Sequence, residues 1–443
     1  MNLLLPMVAM SSAQDLSIAH EQYQLDNGLN VILVEDHSLP KVVINLWYGV
    51  GSKDEVAGRT GFAHLFEHLM FMGTTRLPDS GFDDLMEGYG GWNNAWTSED
   101  ATDYYDVGPS NLATTFLWME ADRMEGLAQA MTQEKLDLQR EVVRNERRQS
   151  YENAPYGQVW LEMPSALYPE GHPYAHSVIG SHEDLEAAQT QDVVDFFNAW
   201  YVPNNASLVV AGDIDVQATK AEIERLFGGI PAVPVAARAR LPVPDKPAKD
   251  LVEVTDTSVE VPLSILAWNT AGAFQPGDAE LDLVGGVLAR GRSSRLYRRL
   301  VDTGIALEVS ASQYSQLHSS IFMVDFKPAE GHTVEELEAI VLEEIATLAA
   351  EGPTAEELER VLNGYELAFV QGLESLDARA SALNRYQYLV GTPDYLAQDL
   401  ARYRSATAQD IQGAAAALVR DNACIFHVFP GGDDEAPATE GGE

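Results

Sequence analysis

Two histidines and two glutamates in this chain have the types and spacing to hold a metal ion and move a proton. His64-Leu65-Phe66-Glu67-His68 places imidazoles at i and i+4. On a helix these positions share a face, so both rings can reach one ion. Neutral imidazole nitrogens suit Zn2+, which catalytic sites commonly hold with three protein ligands and one water. Glu67 lies about 100° around the helix from His68, near enough to address that water without being a ligand. A dication lowers the pKa of a bound water, and a carboxylate can complete the proton's removal. The order H-x-x-E-H inverts the commoner H-E-x-x-H and keeps the same parts.

Taken alone, the string also fits an amphipathic helix with His and Glu on its wet edge. The flanks argue otherwise. Gly61, Phe62, Ala63, Leu65, Phe66, Leu69, Met70, Phe71 and Met72 make the segment apolar nearly all round, which predicts burial. Three ionisable groups buried together need a partner, and a metal is a good one. A third ligand must come from another element. Over 132–152, TQEKLDLQREVVRNERRQSYE, Leu136, Val143 and Glu146 fall on one helical stripe, with Val142 adjoining. Glu146 is therefore expected at the inward end of an apolar face. Glu141, about 140° away, should face solvent. A salt bridge from Glu146 to Arg147 or Arg148 fits less well, because sequence neighbours diverge on a helix. Coordination is the better reading.

The elements that must position these groups can be read from periodicity. Residues 22–50 alternate apolar positions around Asp26-Asn27-Gly28 and predict a hairpin. Residues 57–72 read as the helix that carries the ligands. Residues 91–107, rich in Trp, Thr and Tyr, read as strand and turn. Helical patterns cover 110–130, 132–152 and 190–200, and ASLVVAGDI (206–214) reads as a buried strand. Residues 228–250 hold Pro231, Pro234, Pro242, Pro244 and Pro247 and read as a linker. Beyond it the order repeats: strand-like at 251–270, helical at 278–301, strand-like at 309–326, helical at 333–351 and 354–374. Gln191-Asp192-Val193 leads into NNASLVVAGDI as Gln409-Asp410-Ile411 leads into DNACIFHVF. The expected fold is α+β with two homologous domains, each a mostly antiparallel sheet with helices packed on one face. The first (20–227) carries the site. The second (251–430) has no H-x-x-E-H, its corresponding helix reading Asp282-Leu283-Val284-Gly285-Gly286. Residues 1–19 read as a leader. The acidic tail, 431–443, has the composition of a disordered segment.

The pattern is similar to that of the pitrilysin/insulinase family of zinc peptidases (inverzincins), in particular its short bacterial branch resembling mitochondrial processing peptidase. The resemblance rests on His64-Leu65-Phe66-Glu67-His68 with Glu146 in Val142-Val143-Arg144-Asn145-Glu146 further on. It extends to Gly90-Gly91-Trp92-Asn93-Asn94-Ala95-Trp96-Thr97 with Asp100, Thr102 and Tyr104-Tyr105, and to His172-Pro173-Tyr174 with Ile179-Gly180. Trp200-Tyr201-Val202-Pro203-Asn204-Asn205 and Gly291-Arg292-Ser293-Ser294-Arg295-Leu296 complete it, so that it spans about 20–430. By resemblance, His64, His68 and Glu146 bind one Zn2+ and Glu67 is the general base. Asn94 and Ala95 lie on an edge strand that holds an extended peptide, a mode in which backbone groups pair irrespective of side chains. Two departures stand out. Gln139 occupies a position where relatives often carry a second Glu. Many relatives also carry an Arg and a Tyr in the second domain that bind the substrate carbonyl; here Leu307 stands at the Tyr position and no Arg fits the spacing. The resemblance thus implies a zinc endopeptidase completed by a homologous, metal-free subunit that supplies the Arg/Tyr pair, or by a homodimer. The rivals are a non-catalytic scaffold and a peptide-binding module of the same fold.

Composition sets outer bounds. At 443 residues the chain is long enough for two to three domains. Its 28 Lys+Arg against 68 Asp+Glu give a net charge of −40, a field that repels phosphate backbones and argues against nucleic acid as a partner. A single cysteine, Cys424, rules out an intramolecular disulfide and any multi-cysteine zinc site. It lies in an apolar run and reads as a core residue. No apolar stretch is long enough to span a membrane. Leu3–Met10 with Ser11 and Ala13 reads as the end of a secretory signal lacking its basic n-region. Periplasmic or secreted localisation follows if it is one, cytoplasmic if it is not. The remaining histidines, His20, His37, His172, His176, His182, His318, His332 and His427, show no second ligand spacing and read as surface or loop residues.

Overall fold

A computed structural model describes residues 16–235 and 239–431. Residues 1–15 of the expected 1–19 leader and nearly all of the acidic tail lie outside the described residues. In the first half the elements run β1 (Glu21–Gln24), β2 (Asn30–Glu35), β3 (Lys41–Tyr48), α1 (Phe62–Leu69), α2 (Gly81–Gly88), β4 (Trp92–Thr97), β5 (Thr102–Pro109), α3 (Ala113–Ala130), α4 (Gln133–Arg147), α5 (Gln158–Leu167), α6 (His182–Ala187), α7 (Thr190–Trp200), β6 (Ala206–Gly212) and α8 (Val216–Phe227). In the second they run β7 (Leu251–Asp256), β8 (Leu263–Ala271), α9 (Asp278–Ala289), β9 (Ala306–Tyr314), β10 (Ser319–Pro328), α10 (Val334–Glu351), α11 (Ala355–Gln371), α12 (Leu376–Val390), α13 (Leu396–Arg404), α14 (Ala408–Ala416) and β11 (Ala423–Pro430).

The fold is α+β in two domains. The first sheet has the order β1-β2-β6-β3-β5-β4 and the second β7-β11-β8-β10-β9. From β2 onward the two orders are superimposable, down to the one parallel pair in each, β2 with β6 and β7 with β11. All other pairings are antiparallel. The hairpin expected over 22–50 is corrected in one respect. β1 and β2 form it, turning at Gly28 with φ of +89°, but β3 pairs with β5 and β6 instead of β2. The inserted strand β6 is buried along its whole length. Such a strand favours a central slot covered on both faces.

Each sheet carries its own domain's helices on one face. Leu33, Ile44 and Leu46 pack with Leu65, Phe66, Phe116 and Leu136 in the first domain. Trp268, Phe322 and Ile425 pack with Val284, Val341 and Ile411 in the second. The opposite faces are covered by one helix each, contributed by the other half. Ala380 and Leu383 of α12 sit against Ile32, Val34, Val43 and Val209 of the first sheet. Val159, Met163 and Leu167 of α5 sit against Ile265, Ala267 and Phe426 of the second. Polar anchors fix the crossing: Asn384 Nδ2 donates to Asn45 O at 3.1 Å, and Asn269 Nδ2 donates to Leu167 O at 2.8 Å.

Cys424 is buried in the second core, as expected, and burial pushes its thiol up to about 12. His318 lies in the loop between β9 and β10, as read, but is buried there, whereas His427, read as a surface or loop residue, is buried on a strand. His427 lies on central strand β11 and pairs with Glu338 of α10. The described parts of 228–250 form neither helix nor strand, and Arg240 Nη1 donates to Leu317 O at 2.9 Å. No helix among the described residues is long and apolar enough to cross a membrane.

Candidate metal centre

Helix α1 is shorter than the expected 57–72 because Gly61, in the left-handed region at φ +87°, delays its start to Phe62. Leu65, Phe66 and Leu69 are fully buried, and Phe66 stacks on Phe197 and Tyr201. That anchoring turns His64 and His68 toward α4, their rings edge to face with centroids 4.8 Å apart. Helix α4 begins at Thr132, whose hydroxyl accepts from Lys135 N. Its buried stripe is Leu136 and Val143, and one turn further on Glu146 faces α1. Val142, expected to adjoin that stripe, is exposed, as is Glu141, which pairs with Arg144 at 2.7 Å. Lys135 Nζ donates to Met72 O at 2.7 Å, and Gln139 Nε2 approaches Met72 Sδ at 2.7 Å. Both tie α4 to the chain just after α1.

Two sequence-distant elements thereby bring three ligand-type groups together. Glu146 Oε2 lies 3.2 Å from His68 Nε2, and Oε1 lies 3.7 Å from His64 Nε2. All three groups offer a donor atom within 4.8 Å of one another, and among the described residues no other trio of His, Cys, Asp or Glu does so. Four ligands about 2.0–2.1 Å from a tetrahedral zinc stand about 3.3 Å from each other, a value bracketed by the 3.2 and 3.7 Å that separate Glu146 from the two imidazoles. The side chains are 12%, 24% and 39% exposed, so the cluster is open to solvent on one side. Burial pushes His64 down to about 4, which keeps its ring neutral and able to ligate. The His68 hydrogen bond holds Glu146 below the usual carboxylate range. Of the two arginines weighed as alternative partners, Arg147 is engaged elsewhere, binding Glu152 at 2.9 Å.

Glu67 stands beside this trio without joining it. Burial raises its pKa, and the Thr97 hydroxyl, donating to Oε2 at 2.6 Å, opposes the rise. Thr97 was not singled out as a site residue on sequence grounds; its one signal was its place at the end of the Gly90–Thr97 motif. It is the last residue of β4, so the strand and the carboxylate are coupled. β4 is the outer strand of the first sheet and pairs only with β5. Asn94 is exposed on it and Ala95 is turned inward. Asn94 Oδ1 accepts from Ala95 N at 2.9 Å, so a side chain occupies a backbone donor that an added strand could take instead.

The second domain has the same scaffold without the trio of ligand-type groups. Asp282 of α9 accepts from the Tyr403 hydroxyl at 2.7 Å, and the rings of Tyr403 and Tyr365 stack 3.4 Å apart. At Gly286 a side chain would meet Val361 Cγ1 at 3.1 Å, so α9 and α11 close where α1 and α4 leave room for two imidazoles and a carboxylate. Leu307 is exposed on the outer strand β9.

Comparison with known proteins adds to this geometry. Residues 30–180 match the family model described as insulinase (peptidase family M16), and residues 187–365 match the peptidase M16 inactive domain. Zinc protease PqqE of Helicobacter pylori is 28% identical over 409 residues, 90% of each chain. YmxG of Bacillus subtilis, an uncharacterized zinc protease, is 24% identical over 93% of this chain and 99% of that one. Among solved structures, a protease from Helicobacter pylori superposes with a TM-score of 0.85 at 24% identity, over 93% of this chain and all of the other. The periplasmic protease PqqL of Escherichia coli superposes with a TM-score of 0.74 at 20% identity, over 93% of this chain and 48% of that one.

Proposed function

The chain belongs to the insulinase (M16) family of peptidases, and on that footing we propose that it is a zinc-dependent endopeptidase acting on unfolded peptides. The observation that carries the reading is the convergence of His64 Nε2, His68 Nε2 and the Glu146 carboxylate with Glu67 alongside. His64, His68 and Glu146 would hold the ion. When bound, zinc would act as a Lewis acid on a water and on the scissile carbonyl. Glu67 takes the proton of the attacking water and returns it to the leaving amine. The Thr97 hydroxyl holds that carboxylate in one orientation. β4 offers backbone donors and acceptors around Asn94 and Ala95 to an extended peptide, which favours unfolded chains over folded ones.

The transition state also needs donors aimed at the developing oxyanion, and losing one costs about 3–4 kcal/mol. With Leu307 at the expected Tyr position, the reading assigns those donors to a second chain, a homologous metal-free subunit or a second copy. The match to about half of the longer Escherichia coli protein, and to 92% of its first half, fits a unit that works in pairs. Export to the periplasm accords with the signal-like Leu3–Ala13 and with the periplasmic location of that relative. The test is cleavage of a quenched fluorogenic peptide by the purified chain. Activity should be abolished by a chelator and restored by zinc. Peptide bound but uncut at every zinc concentration would instead support the peptide-binding reading, and neither binding nor cleavage would support the scaffold reading.

A further inference from the structure

The helix that presents both imidazoles and the base has no capping side chain of its own. Among the described residues, seven helices begin at a Ser, Thr or Asp whose side chain accepts from the first turn: α4, α6, α8, α10, α11, α12 and α14. α1 begins at Gly61, and the residue cannot be larger. Its φ is +87°, and a Cβ there would lie 2.8 Å from Ile179 O. The first N–H groups of a helix need partners. Here the partner is Glu55, six residues upstream: Oε2 accepts from Gly61 N at 2.9 Å and Oε1 from Ala63 N at 2.7 Å. Its side chain is 0% exposed, and His176 Nδ1 lies 3.6 Å from Oε2. Nearby, Asp184 accepts from Thr60 N at 3.0 Å and from the Thr60 hydroxyl, securing the residue before Gly61.

We propose that Glu55 is a positioning residue for the metal centre: its buried carboxylate fixes the first turn of α1, and through it the direction of His64 and His68. The inference rests on the zinc-peptidase reading and extends it to a residue that touches neither metal nor substrate. The two bonds bracket the backbone immediately before His64, so a shift of that turn moves the first ligand directly. His68, one turn on in an eight-residue helix, follows it. Burial raises the Glu55 pKa well above its ordinary value, and the two N–H groups that its oxygens accept from oppose that rise; charged or neutral, the carboxyl occupies both donors of the first turn.

The test uses the full chain with Glu55→Gln, Glu55→Ala and, as a control, Asp215→Ala, which removes the cap of α8. Zinc affinity is measured by competition with a fluorescent chelator, and the unfolding midpoint is measured on the metal-free proteins. Outer groups that orient metal ligands typically matter 10–100-fold in affinity. Glu55→Gln should weaken zinc binding about tenfold and Glu55→Ala more. With zinc resaturated, kcat should fall while KM for the peptide stays. Asp215→Ala should lower the midpoint and leave zinc affinity unchanged. If Glu55→Gln binds zinc as tightly as the unsubstituted chain, or if Asp215→Ala weakens zinc equally, the proposal is overturned. Failure of the unsubstituted chain to bind zinc would overturn the peptidase reading as well.

Discussion

Glu67 and Glu146 face the same small volume under opposite influences. Burial lifts Glu67, whereas the hydrogen bond from His68 lowers Glu146. A group poised to take a proton and a group held as an anion are what a base and a ligand respectively require. Glu67→Gln should therefore retain zinc while turnover falls by about 10²–10⁴-fold. Glu146→Ala should lose zinc in the same metal analysis, with activity falling in step. If the two variants behaved alike, the separate roles would be wrong. A second prediction concerns Asp282, in the second domain's counterpart of α1. Burial raises its pKa to about 6. A carboxyl raised in the folded state contributes stability at pH below its unfolded value, and that contribution is lost as pH rises through the folded one. Asp282→Asn, which can still accept from Tyr403, should thus raise stability by roughly 1–2 kcal/mol at pH 8 and by little at pH 4. Equal effects at the two pH values would refute the assignment.

Among the elements, α5 and α12 behave least as local sequence suggests. Periodicity assigned no element to 153–189 or 375–407, yet each holds a helix that covers the far face of the other half's sheet. The buried face of α12 is Ala380, Leu383, Asn384 and Tyr386, small and polar groups among large ones, so no apolar stripe announces it. What makes it a buried face is a sheet more than 150 residues away. The exchange predicts that the halves are not independent. Residues 1–250 expressed alone would expose Ile32, Val34, Val43 and Val209 and should aggregate or bind a hydrophobic dye. Co-expression with 251–443 should recover a soluble complex. A soluble, monomeric first half with normal zinc affinity would contradict this.

At the scale of the whole molecule, the centre opens on a surface that one chain does not close. His68 and Glu146 are partly exposed, and β4 is an outer strand. If a second copy supplies the oxyanion donors, specific activity should rise with protein concentration across the range in which sedimentation shows dimers. If a metal-free homologue supplies them, activity should rise only when that subunit is added. A rate per chain constant in both experiments would mean that one chain is sufficient.

The chemistry was legible because it is local. His64, Glu67 and His68 are set by helical spacing, and Glu146 by its place on an apolar stripe, so residue order alone put three ligand-type groups on the faces that the fold brings together. The doubling of the fold was legible too, since each half repeats its order of strands and helices. Tertiary structure decided the rest. It placed β6 between β2 and β3, gave Glu67 its Thr97 partner, buried His318 and His427, and covered each sheet with the other half's helix. These depend on surfaces that exist only after distant segments meet, and the period of a strand or helix reports which of its faces is apolar, never what will lie against it.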